Sequence, residues 1–177
     1  RDMAKVGLML LNNGQYNDMV QAARSSGSIL KPFLFAAALQ DGIIQTSSLL
    51  PDVPSWLAGF NPKNFDERYS GAITASVALQ RSLNVPFVHL LRDYGVPRFH
   101  LLLQKLGFTT FAKPASHYGL SLILGGGEVN LWELSAAYAA FANQLLSEKQ
   151  DFPLTKGSIS LTTNVLRQLN RPETESG

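Results

Sequence analysis

The stretch Arg24-Ser25-Ser26-Gly27-Ser28-Ile29-Leu30-Lys31-Pro32-Phe33-Leu34-Phe35 decides how this chain is read. Ser25-Ser26-Gly27 supplies a loop, and Ser28 to Gln40 then reads as a helix closed by Asp41-Gly42. Pro32 falls in the first turns, where a missing amide hydrogen costs little. Ile29, Leu30, Phe33, Leu34, Phe35 and the run Ala36 to Leu39 leave almost no polar face, so the helix belongs at the centre of a core. Lys31 lies inside that apolar run, where a plainly solvated side chain has no obvious home.

Ser28 and Lys31 are three residues apart, a spacing that puts both on one face of a helix, with the amine in reach of the hydroxyl. A serine needs a base beside it to become a nucleophile, and a lysine serves only when neutral. Desolvation and the positive end of the helix both disfavour the ammonium form. The Ser28 N–H, pointing out of the helix start, is available to an oxyanion. The bland alternative makes Ser28 an N-cap and Lys31 a first-turn surface residue. Sixteen serines and seven lysines give about 0.6 such matches by chance, so spacing alone does not decide.

A second short pattern, Ser82-Leu83-Asn84, lies 54 residues further on. It offers a hydroxyl for proton relay and an amide to hold a peptide backbone. Its bland reading is a turn, with Asn84 helping to cap a helix that starts at Pro86. A helix, a long loop and another helix separate the two patterns and allow them to meet in one cleft. The chain contains no Lys-Thr-Gly; Leu154-Thr155-Lys156-Gly157 has those letters in another order.

The length of 177 residues suits one domain. A formal charge of +2 without clustered basic residues argues against a nucleic-acid partner. With no cysteine there is no disulfide, thiol nucleophile or zinc–cysteine site. His89, His100 and His117 lack metal-ligand spacing, and no metal or cofactor is expected. Nothing in the spacing of Asp52, Asp66, Glu67, Glu128 and Glu133 selects an acid/base pair. Gly125-Gly126-Gly127 lacks the Lys-Ser/Thr of a phosphate loop and reads as a tight turn.

Outward from the central helix, Val6 to Leu11 reads as a buried strand stopped by Asn12-Asn13-Gly14. Residues 46–71, punctuated by Pro51, Pro54, Gly59, Pro62 and Gly71, read as one long irregular loop. Short helices are predicted over Thr74 to Arg81, Pro86 to Tyr94 and Pro97 to Leu106. Tyr118 to Leu124 is a strand or a buried helical piece. Asn130 to Leu146 has the strongest helical periodicity, and Ile159 to Leu169 reads as a last helix.

The segment Arg24 to Phe35 resembles the active-site helix of class A penicillin-binding proteins, and further similar segments follow in the family's order. They are Leu50-Pro51-Asp52-Val53-Pro54, Gly59 to Asp66, Tyr69-Ser70-Gly71, Ala78 to Pro86, Tyr118 to Gly126, Leu134 to Asn143, and Leu169-Asn170-Arg171-Pro172. The resemblance implies the α/β (α+β) penicillin-recognising transpeptidase fold, an antiparallel sheet with helices on both sides. Here it would be helix-rich and incomplete, a single partial domain over residues 1–177 that stops before the Lys-Thr-Gly strand. It implies Ser28 as acylated nucleophile, Lys31 as its base, Ser82 as a second catalytic hydroxyl and Asn84 as a substrate-binding residue. The implied reaction is D,D-transpeptidation. The implied partners are peptidoglycan stem peptides (a D-Ala-D-Ala donor and an amine acceptor) and β-lactams. No cofactor is implied. A glycosyltransferase domain and membrane anchor would lie outside this chain, at the periplasmic face of the bacterial inner membrane. The competing readings are a D,D-carboxypeptidase or β-lactamase, a silent β-lactam or peptidoglycan-binding module, and a structural helical domain.

Overall fold

The computed structural model describes residues 20–57 and 59–146. The expected strand Val6 to Leu11 and the expected helix Ile159 to Leu169 lie outside the described residues.

Strand β1 (Arg24–Ser25) leads through a turn into helix α1 (Lys31–Gln40). Every residue from Phe33 to Leu39 is buried, as the unbroken apolar run requires. The helix starts later than its sequence suggests. Ser28 sits in the entry turn, where Lys31 N–H donates to the Ser28 carbonyl at 3.1 Å. That i→i+3 bond tightens the turn ahead of Pro32, whose ring lies in the first helical turn.

The greatest departure from the sequence reading is in residues 46–71. Strands β2 (Leu49–Asp52) and β3 (Gly71–Thr74) pair antiparallel with Leu50 opposite Ile73 and Pro51 opposite Ala72. Proline and aspartate are poor strand formers, so the local signal says loop. Pairing with β3 overrides that signal, and Pro51 is tolerated because, among the described residues, β3 alone flanks the strand. Residues 53–57 and 59–70 form no further strand or helix apart from an isolated Leu57–Phe60 bridge.

Helix α2 (Ala75–Gln80) follows β3 directly, with Thr74 at its N-cap and Arg81 at its C-cap. Helix α3 (Asn84–Tyr94) begins two residues before the expected Pro86. Asn84 therefore lies inside the first turn and does not cap the helix. Val85 to Leu91 are all buried, and α3 packs against α1, β2 and the later 3₁₀ helix, making it the hub of the described core. Helix α4 (Val96–Lys105) matches its expected span closely. Helix α5 (Ala115–Tyr118) runs into a 3₁₀ helix over Gly119–Leu124, so the ambiguous apolar stretch is helical. Strand β4 (Glu128–Val129) returns to pair antiparallel with β1. Helix α6 (Leu131–Leu146) is opened by Asn130, whose side-chain oxygen accepts from Glu133 N–H at 2.7 Å.

Phe33 anchors the interface between α1 and α6. Its ring meets Tyr138 at 4.9 Å and Phe141 at 5.7 Å between centroids, in edge-on and tilted arrangements. Tyr138 also donates its hydroxyl to the Ile29 carbonyl at 2.7 Å, tying α6 to the residue beside Ser28.

Among the described residues the sheet content is two two-stranded pairs. No described helix is long and apolar enough to cross a membrane.

Candidate active site

Lys31 is fully buried, in a position defined by its neighbours in α1. Three acceptors meet its amine: the Ser82 carbonyl at 2.7 Å, Asn84 Oδ1 at 2.8 Å and Ser82 Oγ at 3.3 Å. The ring of Phe87 lies 5.6 Å from Nζ and closes the apolar side. Burial is the cause that pulls its pKa down, to about 8. The burial of Lys31 agrees with its place in an apolar run, and the two short patterns, which the sequence allows to share a cleft, meet here; no hydrogen bond joins the amine to the Ser28 hydroxyl expected beside it.

Ser28 is half-buried on the entry turn, and its hydroxyl makes no hydrogen bond to a described residue. Its backbone is bonded to that of Lys31, one turn on. Lys31, Ser82 and Asn84 are thus joined directly by side-chain hydrogen bonds, and Ser28 is joined to them through the main chain of Lys31.

The turn carrying Ser28 is fixed from behind. The glycines at 125–127 do more than turn the chain. A side chain at Gly125 would come within 2.5 Å of Ser25 Oγ and 2.8 Å of Gly27 N, and one at Gly127 would overlap the Phe111 ring. Backbone must lie directly against backbone there, and only glycine permits it. Ser25 Oγ donates to the Gly125 carbonyl at 2.9 Å, and Ser26 N–H donates to the Gly127 carbonyl at 3.0 Å.

Ser82 has a left-handed backbone, φ +51°. It follows α2 in a Schellman arrangement: Leu83 N–H donates to the Ala78 carbonyl at 3.0 Å and Ser82 N–H to the Leu79 carbonyl at 2.9 Å. Glycine normally takes that position. A serine there carries strain of order 1 kcal/mol and aims its carbonyl and hydroxyl at Lys31.

Asn84 is held at both ends of its amide. Oδ1 accepts from Lys31 Nζ, and Nδ2 donates to the Lys63 carbonyl at 2.8 Å. The Lys63 carbonyl is an acceptor only, so Nδ2 must face it, and its second hydrogen has no acceptor among the described residues. The backbone N–H groups of Asn84 and Val85 donate to Asn64 Oδ1 at 3.0 and 3.2 Å. Sequence reasoning missed Asn64. It lies in a proline-punctuated loop without periodicity, and the backbone amides it caps are 20 and 21 residues away.

His100 is a satisfied core histidine, its Nε2 3.1 Å from the Phe111 carbonyl. His89 is buried with Nε2 2.8 Å from Ser55 Oγ, and His117 is exposed. Among the described residues no three potential metal ligands gather.

Comparison with known proteins places this geometry. Residues 7–175 match the family described as penicillin binding protein transpeptidase domain. The chain is 46% identical over 125 residues to penicillin-binding protein 1C of Escherichia coli K12, covering 71% of the chain and 16% of that protein. It is 38% identical over 147 residues to penicillin-binding protein 1A of Neisseria cinerea, covering 79% of the chain and 18% of that protein. The solved penicillin-binding protein 1A of Haemophilus influenzae aligns with a TM-score of 0.64 at 31% identity, over 74% of this chain and 20% of that one. PonA1 of Mycobacterium tuberculosis in complex with penicillin V shares the fold, with a TM-score of 0.64 at 22% identity, over 73% of this chain and 38% of that one. The chain therefore spans only 16% to 18% of the length of these curated relatives. With Lys31, Ser82 and Asn84 gathered beside the Ser28 turn and the family match running across nearly the whole sequence, this chain belongs to the penicillin-binding protein transpeptidase domain family.

Proposed function

We propose that this chain is the acylating part of a peptidoglycan D,D-transpeptidase. Ser28 is its nucleophile, Lys31 the base, Ser82 a proton relay and Asn84 a holder of the substrate backbone. The observation that carries the reading is the buried Lys31 amine, with its pKa pulled down to about 8 and its hydrogen bonds directed to Ser82 and Asn84.

A neutral lysine has two N–H donors and one lone pair. The two shortest contacts, to Ser82 O and Asn84 Oδ1, occupy both donors. The lone pair is left for a hydroxyl proton, from Ser28 directly or through Ser82 Oγ at 3.3 Å. Ser28 Oγ attacks the carbonyl between the two D-alanines as its proton passes to Lys31. The tetrahedral oxyanion then collapses, the C–N bond breaks, and the amine of D-Ala leaves with the proton that Lys31 returns. An amine from a neighbouring stem peptide next attacks the Ser28 ester, forming the cross-link and restoring the serine hydroxyl. A β-lactam ring opens by the same first step and leaves its acyl group on Ser28. None of these steps calls on a cofactor or a nucleic acid.

In this reading residues 1–177 form one partial transpeptidase domain of a larger bifunctional transglycosylase/transpeptidase. That protein acts at the periplasmic face of the bacterial inner membrane and is anchored by a segment outside this chain.

The test is product analysis by the full-length protein with a D-Ala-D-Ala stem peptide and an amine acceptor. A cross-linked product with release of one D-Ala per link supports transpeptidation. Free tetrapeptide alone, with acceptor present, would make the protein a carboxypeptidase. Stable acylation by penicillin with no release of D-Ala would make it a binding module.

A further inference from the structure

Asn84 stands in the active site, yet the groups that hold it come from a loop the proposed mechanism does not use. Helix α3 opens at Asn84 with unpaired backbone N–H groups, as every helix does. Its N-cap residue is Leu83, which has no side-chain acceptor. Asn64 Oδ1 fills that role from 20 residues upstream, accepting from Asn84 N and Val85 N.

Asn64 is itself locked. It is 2% exposed, and its Nδ2 donates to Asp52 Oδ1 at 2.7 Å and to the Arg68 carbonyl at 2.8 Å. Both of those partners can only accept, and the two amides on Oδ1 can only donate, so a flipped Asn64 would break four bonds at once. Asp52 is fully buried at the end of β2, and its second oxygen accepts from Ser70 N–H at 2.9 Å. A buried carboxylate and amide add little net stability over an apolar pair of the same shape. They do fix direction. The chain of bonds runs from Asp52 to Asn64, to the backbone of Asn84, and through the Asn84 side chain to Lys31. Lys63, beside Asn64, holds the other end of the Asn84 amide through its carbonyl.

We propose that Asp52 and Asn64 are a positioning pair that sets Asn84, and through it the Lys31 amine, for acyl transfer. The assignment rests on the acylating-serine reading above. Neither residue touches substrate; both act through Asn84.

The experiment uses the full-length protein and a fluorescent penicillin. The saturating acylation rate and the half-saturating concentration are measured separately, with urea unfolding of each variant. Asp52→Asn brings a second donor against Asn64 Nδ2 or Ser70 N–H. Asn64→Asp puts acceptor against acceptor. Each single change should slow saturating acylation by roughly 10- to 100-fold, the effect of losing a group that orients a reacting one. The swapped pair Asp52→Asn with Asn64→Asp lets residue 52 donate to residue 64 and keeps the Ser70 bond and both capping bonds, losing only the bond from residue 64 to the Arg68 carbonyl. It should recover part of that loss, roughly threefold or more. Asp41→Asn, at the far end of α1, removes the 2.8 Å pair with Arg98 and should leave acylation unchanged. Wild-type protein that acylates, with both single variants folded and within about twofold of its rate, overturns the proposal. A folded swapped variant that recovers nothing overturns it too. If a single variant does not fold, the swapped pair decides alone. Wild-type protein that takes no penicillin at all would instead sink the acylating-serine reading.

Discussion

Ser82 shows most clearly a residue whose proposed role runs against local comfort. Its backbone suits glycine, and its hydroxyl and carbonyl both face Lys31. Ser82→Gly should therefore stabilise the protein by about 0.5–1 kcal/mol in urea unfolding, through relief of the left-handed strain. The same change should lower penicillin acylation by roughly 100-fold or more, through loss of the relay. A variant both less stable and fully active would contradict this account of Ser82. Lys31 makes a second prediction at this scale. With its pKa at about 8, the acylation rate should rise with pH through a midpoint near that value. Stability follows in the same direction. Between about 8 and the ordinary lysine value of 10.5, the unfolded chain keeps the proton that the folded chain has lost. Stability gained from Lys31 thus rises with pH across that window, and below it the buried charge is a standing cost. The difference in unfolding free energy between wild type and Lys31→Met should shift in favour of wild type from pH 8 to pH 10.5.

At the scale of elements, the entry turn before α1 is positioned by the glycines that follow the 3₁₀ helix. Gly125 has φ +98° and no room for a side chain against Ser25 and Gly27. Gly125→Ala should cost roughly 2–4 kcal/mol, combining left-handed strain with an overpacked contact. It should also slow acylation, because Gly27 adjoins Ser28; urea unfolding and penicillin labelling read the two effects separately. This close approach was only half legible in the sequence, where three consecutive glycines say turn and nothing says which backbone they lie against. The helices were legible because their signals are local: the apolar run of α1, the proline and glycine around α4, the spacing along α6. The pairing of β2 with β3 was not. It is made across 18 intervening residues, by strands that contain Pro51 and Asp52. The start of α3 was misplaced for a related reason. Pro86 is a good first-turn residue, and the cap that lets the helix begin at Asn84 comes from Asn64, outside any local window.

For the molecule as a whole, the site is where two readable motifs meet and an unreadable one supports them. Ser28, Lys31, Ser82 and Asn84 stand out in the sequence as two short patterns, and the family resemblance, not their spacing, implies their roles. Asp52 and Asn64 could not, since each looks in the sequence like an ordinary polar residue of a proline-rich loop. Their importance is a property of the folded arrangement, in which β2, the 53–70 loop and α3 converge on the lysine that α1 buries. The central claim is that this convergence serves acylation of Ser28. The direct measurement is intact-mass spectrometry of the full-length protein after incubation with a penicillin, followed by peptide mapping, with Ser28→Ala alongside. The account predicts one adduct, on the peptide containing Ser28, and none on the variant. It also predicts that Ser28→Ala unfolds at the same urea concentration as wild type, because the Ser28 hydroxyl bonds to no described residue. An adduct that survives in Ser28→Ala, or maps to another residue, would contradict it.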